Sequence, residues 1–249
     1  MSYRFYLGLD VSKAKLDCLL LDSSDGKRKS KSISNSSEGM VTLLEWLSKH
    51  DVALDAVRVI MEPTGVYHEQ ALLALAQAGL AVSLVNPARL RKYAQGLGIH
   101  NKTDAADSAV LARYGAEHHA SLRVWQPPPA SVGELRALLA RRDVVLQDLQ
   151  RERNRAEKAA LAMVTPESVQ TSIQRHLDHL QKELARLQKL IREHIDNAPD
   201  LRRMRELLQS IPGVGEQVSA QMTALLSEHA FEHAEQVAAY LGLVPIEWQ

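Results

Sequence analysis

The chain has 249 residues, of which 45% are hydrophobic and 24% charged, a length that can bury one sizeable core and a second, smaller one. Its 30 basic and 30 acidic residues cancel, which argues against a uniformly basic nucleic-acid-binding surface. The single cysteine, Cys18, excludes internal disulfides and a cysteine-based zinc site, and the lack of a signal-peptide or membrane-spanning apolar stretch predicts a cytoplasmic protein without membrane contact.

Residues up to about 120 predict an α/β domain. Three strand-like runs form an antiparallel meander, at Tyr6–Asp10, Leu16–Asp22 and Lys29–Ser34. Helices and strands then alternate, in the order helix Ser37–Lys49, strand Val57–Glu62, helix Tyr67–Ala78, strand Val82–Val85, and helices Arg89–Gly96 and Ala105–His118. This order resembles the ribonuclease H arrangement, in which the first strand is central and its acid lies beside the acid of the fourth strand.

The proline-rich segment Trp125–Pro129 predicts a stiff linker between domains. Two long helical segments follow, Val132–Met163 and Val169–His194, and Thr165-Pro166 between them favours an antiparallel hairpin with coiled-coil-like spacing. Such a hairpin suits dimerisation or a clamp on nucleic acid, and a plain arm packed on the body is an equally good interpretation. We therefore predict three domains, at 1–124, 130–200 and 201–249.

The third region opens with a helix-hairpin-helix-like motif. Gly213 and Gly215, in Ile211–Gly215, permit a tight turn whose backbone N–H groups can reach a phosphate at the start of the next helix. Many hairpins of this kind only pack helices. The lack of lysine and arginine from Ile211 to Gln249 also weakens the nucleic-acid interpretation, although arginines are frequent between Arg136 and Arg205.

Four acidic residues are the candidate metal ligands. Asp10 and Glu62 end two predicted strands, and Asp104 and Asp107 share one face of a predicted helix because they are three residues apart. Carboxylate oxygens suit Mg²⁺, for which Mn²⁺ commonly substitutes, and two ions about 4 Å apart stabilise both the attacking and the leaving oxygen of a phosphodiester.

Taken singly, each acid has an ordinary structural interpretation, as a turn former or as the cap of a helix. The order of the four acids on these predicted elements makes the metal interpretation strong. Lys13 and Lys102 are secondary candidates for phosphate contacts, because each lies within three residues of a candidate acid, and both also fit as ordinary surface lysines.

The motifs together resemble a known family. Leu7–Lys13, Met61–Gly65, Lys102–Asp107, Ile211–Gly215 and Ala239–Pro245 resemble the bacterial insertion-sequence transposases of the one-ten group, which are DEDD enzymes related to the Piv DNA invertases. The resemblance implies a RuvC-like N-terminal domain, a coiled-coil middle and a partial α-helical C-terminal domain. It also implies Mg²⁺ at the four acids, DNA as substrate, a structured guide RNA as partner, and a homodimer or homotetramer.

One departure from the family pattern concerns a serine. The resemblance implies a serine nucleophile in a Ser-Gly context after the Gly-Leu-Val-Pro motif, but the sequence stops four residues after Pro245. Ser219 and Ser227 precede that motif, and we assign neither as catalytic. We therefore expect a truncated or decayed family member that keeps the metal site and does not complete recombination alone.

Two other classes of function remain open at this point. An actin-like or sugar-kinase-like ATPase also begins with an acid on its first strand. Such an enzyme needs a second phosphate loop and an adenosine-binding glycine-rich segment, and the sequence shows neither. A non-catalytic nucleic-acid-binding or dimerisation remnant of a transposase would bind without metal-dependent chemistry.

Overall fold

The structure is a computed structural model that describes residues 3–99, 104–229 and 231–244, with the backbone alone at residues 104–106. The chain divides into two compact units, Met1–Pro127 and Pro128–Gln249. The predicted division of the second unit into a hairpin and a C-terminal domain stays a prediction. In the described ranges, the structure contains no helix that is both long enough and apolar enough to cross a membrane.

The first unit is built on a five-stranded mixed sheet. Its strands are β1 Phe5–Val11, β2 Lys15–Asp22, β3 Arg28–Ser34, β4 Val57–Met61 and β5 Ala81–Leu84. The order across the sheet is β3-β2-β1-β4-β5, with antiparallel pairs β1–β2 and β2–β3 and parallel pairs β1–β4 and β4–β5. The predicted meander and the central position of the first strand are therefore confirmed.

Four helices accompany the sheet, α1 Ser37–Ser48, α2 Glu69–Gln77, α3 Pro87–Gly96 and α4 Asp104–His118. Helix α1 begins where predicted because the Ser36 side chain accepts a hydrogen bond from the Gly39 N–H. Helix α2 begins two residues later than predicted, because residues 65–68 form a turn in which Gly65 has a φ of 52°.

The two faces of the sheet carry different apolar layers. Leu7 and Leu9 of β1 belong to a cluster that includes Leu43 of α1 and Leu72 of α2. Ile60 of β4 belongs to another cluster, formed with residues of α3 and α4 such as Leu111. Because side chains alternate along a strand, the remaining residues of β1 face α4.

The second unit consists of helices in its described part, α5 Ala130–Leu161, α6 Glu167–Asn197, α7 Pro199–Gln209, α8 Glu216–Glu228 and α9 Ala234–Tyr240. Helices α5 and α6 pack together through Val145, Leu149, Leu180 and neighbouring apolar residues. Near the N-terminus of α5, Leu135 belongs to an apolar cluster that includes residues of α7 and α8. The hairpin's coiled-coil character stays a prediction.

Candidate active site

Asp10 and Glu62 lie at neighbouring strand ends. Strands β1 and β4 are parallel, and the last registered pair joins Leu9 to Met61, so Asp10 and Glu62 occupy the next positions along the two strands. Adjacent strands lie about 4.8 Å apart. Both acids are half-buried. The prediction that the acid of the first strand lies beside the acid of the fourth strand agrees with this register.

Helix α4 lies directly against the face of β1 that carries Gly8. A Cβ added at Gly8 would stand 2.0 Å from the carbonyl oxygen of Ser108, so that only hydrogen fits between β1 and the helix. A Cβ added at Gly115, seven residues further along α4, would stand 3.3 Å from the Tyr6 ring. Gly115 of α4 therefore lies near Tyr6, and Ser108, which is closer to the N-terminus of α4, lies near Gly8. The helix and β1 run in opposite directions.

This direction brings the acidic end of α4 toward Asp10. Asp10 is two residues beyond Gly8 and on the same face of β1, and Asp107 immediately precedes Ser108. Asp107 is half-buried. Asp104 begins the helix one turn earlier, but its side chain lies outside the described residues. The backbone thus directs Asp10, Glu62 and Asp107 toward one corner of the first unit.

The corner fits a hard divalent cation by its donor chemistry, since its four candidate ligands are carboxylates. Among the side chains that the structure describes, which include those of Asp10, Glu62 and Asp107, no three His, Cys, Asp or Glu residues are grouped closely enough to hold an ion. The Asp104 carboxylate is not one of those side chains. The assignment of Asp10, Glu62, Asp104 and Asp107 as ligands therefore stays a prediction.

A fifth acid at this corner was missed in the sequence. Asp17 of β2 is the cross-strand partner of Asp10, and paired residues of antiparallel strands point to the same face. Asp17 is half-buried, and its Oδ2 lies 2.9 Å from Nζ of Lys15. The alternation Leu16-Asp17-Cys18, with the two flanking residues buried, was the pattern that could have placed Asp17 on the polar face.

The loop that follows Glu62 is held by its own residues. The Thr64 N–H donates to Nδ1 of buried His68 over 3.2 Å, and the Thr64 hydroxyl donates to the Glu62 carbonyl over 3.3 Å. These bonds fix the backbone just after the candidate ligand. His68 escaped the sequence analysis because nothing local distinguishes it from an ordinary surface histidine.

The secondary candidates divide between the two units. Lys13 is exposed in the turn between β1 and β2, three residues after Asp10, whereas Lys102 lies outside the described residues. Gly213 has a φ of 89° in the turn between α7 and α8, and Gly215 directly precedes α8. The first turn of α8 carries Glu216, whose negative charge opposes a phosphate at that helix end. Phosphate contacts by these residues stay predictions.

Comparisons with known proteins agree with the motifs. The family model DEDD_Tnp_IS110, described as Transposase, matches residues 7–166, and a second model, described as Transposase IS116/IS110/IS902 family, matches residues 205–249. The pilin gene-inverting proteins of Moraxella lacunata and Moraxella bovis are each 29% identical over 241 residues, which is 96% of this chain and 72% of theirs.

Two solved structures also show similarity. RuvC of T. thermophilus in complex with a Holliday junction substrate is 13% identical, with a TM-score of 0.37, over 49% of this chain and 99% of RuvC. YeaZ from Pseudomonas aeruginosa is 21% identical, with a TM-score of 0.29, over 39% of this chain and 50% of YeaZ. The first family model spans well over half of the 249 residues, and the resemblance drawn from the motifs is confirmed. The chain belongs to the IS110 family of DEDD transposases.

Proposed function

We propose that this chain provides the Mg²⁺ site with which a transposase cuts and rejoins DNA strands, with one or two ions held by Asp10, Glu62, Asp104 and Asp107, and that it does not complete recombination alone. The observation that supports this most directly is the close approach of α4 to Gly8, which directs the helical acids toward the strand-end acids. The two Moraxella relatives are named pilin gene-inverting proteins, and the inversion of a gene is a DNA rearrangement, which supports the same class of reaction.

Each residue has a defined task in this proposal. Asp10 and Glu62, on adjacent parallel strands, provide the rigid half of the ligand set, and Asp104 and Asp107 provide the helical half. Bound Mg²⁺ would neutralise charge on the scissile phosphate. Lys13, exposed beyond β1, contacts the DNA backbone. A serine nucleophile, as the family resemblance implies, is not assigned to any residue of this sequence.

The partners follow from the same resemblance. We propose that DNA is the substrate, that a structured guide RNA pairs with it and supplies sequence specificity, and that the protein acts as a homodimer or homotetramer. The helical hairpin α5–α6 is the segment that suits self-association, because it presents a long helix pair in the second unit.

Anomalous diffraction from crystals soaked in Mn²⁺ tests the metal site directly. We expect peaks among Asp10, Glu62, Asp104 and Asp107, with DNA added to the crystals should the free protein show none. Asp10→Asn and Asp107→Asn should remove the peaks and lower DNA strand cleavage by more than about 100-fold. Altering a residue that only supports a metal ligand costs up to about 100-fold, and a ligand itself should cost more.

A matched control is Asp55→Asn. Asp55 is an exposed acid in the short helical turn before β4, at the opposite end of that strand from Glu62, so its variant should keep both the peaks and the cleavage. If Mn²⁺ binds nowhere near the four acids even with DNA present, the catalytic assignment is wrong. A non-catalytic nucleic-acid-binding role would then take its place.

A further inference from the structure

The two candidate ligands Asp10 and Glu62 are each followed by a loop, one beyond β1 and one beyond β4. Beyond Asp10, residues 12–14 form the turn between β1 and β2, in which the Ser12 hydroxyl donates to the Lys15 carbonyl over 2.9 Å. Beyond Glu62, residues 62–68 lead into α2. Each loop has internal hydrogen bonds, but those bonds do not set the distance from one loop to the other.

Asn35 joins the two loops through one amide group. Its Nδ2 donates to the Ser12 carbonyl over 2.9 Å and to the Tyr67 carbonyl over 3.0 Å. Its backbone N–H donates to the Ala14 carbonyl over 3.0 Å, which fixes the amide against the first loop. A primary amide has two N–H donors, so both are used, one on each loop.

A role in starting helix α1 does not account for this residue. The cap of α1 is Ser36, whose hydroxyl accepts from the Gly39 N–H over 3.2 Å. Asn35 precedes the cap, and its side chain points away from the helix to two carbonyls that lie 23 and 32 residues from it in sequence. Its contacts are with the loops that follow the candidate metal ligands.

We propose that Asn35 is a positioning residue for the metal site, which adds to the pairing of β1 and β4 by tying together the loops that follow Asp10 and Glu62. The inference rests on the proposed function. Ligand sets require placement to within about 0.5 Å, and a bridge between the two loops supplies that restraint from outside the ligand set. An aspartate of the same shape would present two oxygens to two carbonyl oxygens, and the bridge would be lost.

Mn²⁺ titration of the full chain, followed by electron paramagnetic resonance, tests this role. We expect Asn35→Asp and Asn35→Ala to weaken Mn²⁺ binding by about 10-fold or more, as loss of outer-shell partners does at metal sites. Ser36→Ala is the matched control, because it removes the hydrogen bonds of the neighbouring side chain, with the Gly39 N–H and the Ser34 hydroxyl, without touching either loop. That variant should bind Mn²⁺ as the unaltered chain does.

The same titration distinguishes the proposed role of Asn35 from the proposed metal site. Unchanged Mn²⁺ affinity in Asn35→Ala, with affinity lost in Asp10→Asn, overturns the role of Asn35 and leaves the metal site standing. Full Mn²⁺ binding by Asp10→Asn overturns the metal site itself. If Asn35→Ala does not fold, Asn35→Ser replaces it, because serine keeps one hydrogen-bond donor and cannot bridge both loops. A Mn²⁺ affinity of Asn35→Ser equal to that of the unaltered chain would likewise reject the positioning role.

Discussion

Gly8 and Ser108 are 100 positions apart in sequence, yet a Cβ on Gly8 would stand 2.0 Å from the Ser108 carbonyl oxygen. The same added atom would lie 2.6 Å from the Ala112 backbone nitrogen, so the obstruction comes from the helix backbone and not from a side chain that could turn away. The packing of α4 on β1 depends on the missing side chain of Gly8.

Gly8→Ala should therefore lower stability and impair the metal site together. We expect a loss of about 1–3 kcal/mol in the free energy of unfolding, as for other overpacked cores, because α4 must move off the sheet. Thermal unfolding measures the first effect. Mn²⁺ titration measures the second, which should be a clear weakening.

Gly96→Ala is the control for that substitution. Gly96 is the last residue of α3, and no heavy atom lies within 4 Å of the position that a Cβ would take. Alanine favours helix over glycine by up to about 1 kcal/mol, so this variant should be neutral or slightly more stable. Equal stability of Gly8→Ala and Gly96→Ala would contradict the close packing of α4 on β1.

Asp10→Asn should stabilise the metal-free protein. Asp10 and Asp17 are directly opposed on β1 and β2, and like charges in that position are unfavourable. Removing one charge should raise the free energy of unfolding in EDTA by about 0.2–1 kcal/mol. In an Asp17→Asn background the gain should shrink, because the repulsion between Asp10 and Asp17 is already absent. An equal gain in both backgrounds would show that the two carboxylates do not interact.

The parts of the fold that the sequence predicted are those encoded locally. The three strand-like runs at Tyr6–Asp10, Leu16–Asp22 and Lys29–Ser34 lie close together in sequence, and the meander followed from them. The neighbouring positions of Asp10 and Glu62 followed from placing the first strand at the centre of the sheet.

The parts that were missed depend on contacts between distant segments. Asp17 became relevant only once the register with Asp10 was known, and Asn35 only once its two carbonyl partners were in place. Gly8 was read as part of a motif, without the information that a helix backbone from another part of the chain lies against it. No local pattern encodes these three relationships.

The Cys18 thiol should be unreactive in the folded protein. Burial raises its pKa to about 12, since the charged thiolate is poorly solvated inside the sheet layer. The reactive species is the thiolate, so an aromatic disulfide reagent at pH 8 should label the native chain slowly and the urea-unfolded chain fast. Rapid labelling of the native chain would mean that β2 opens readily or that Cys18 is accessible.

The ion pair between Arg4 and Asp22 should make stability depend on acid pH. Arg4 Nη2 lies 2.8 Å from Asp22 Oδ2, and this hydrogen bond is the main reason that the pKa of Asp22 lies well below its usual range. The hydrogen bond from the Ser24 hydroxyl is the next largest cause. A carboxyl with a lowered folded-state pKa stabilises the fold above its unfolded pKa of about 3.9 and loses that contribution as the pH falls.

Asp22→Asn should thus be less stable than the unaltered chain at pH 7, and the difference should shrink steadily below about pH 4 as the unaltered chain loses the ion pair. Urea unfolding at a series of pH values from 7 to 3 measures the difference. Asp55→Asn, at an exposed turn, is the control and should track the unaltered chain throughout. A stability difference that stayed constant with pH would mean that the loss in Asp22→Asn does not come from the charge of the Asp22 carboxylate.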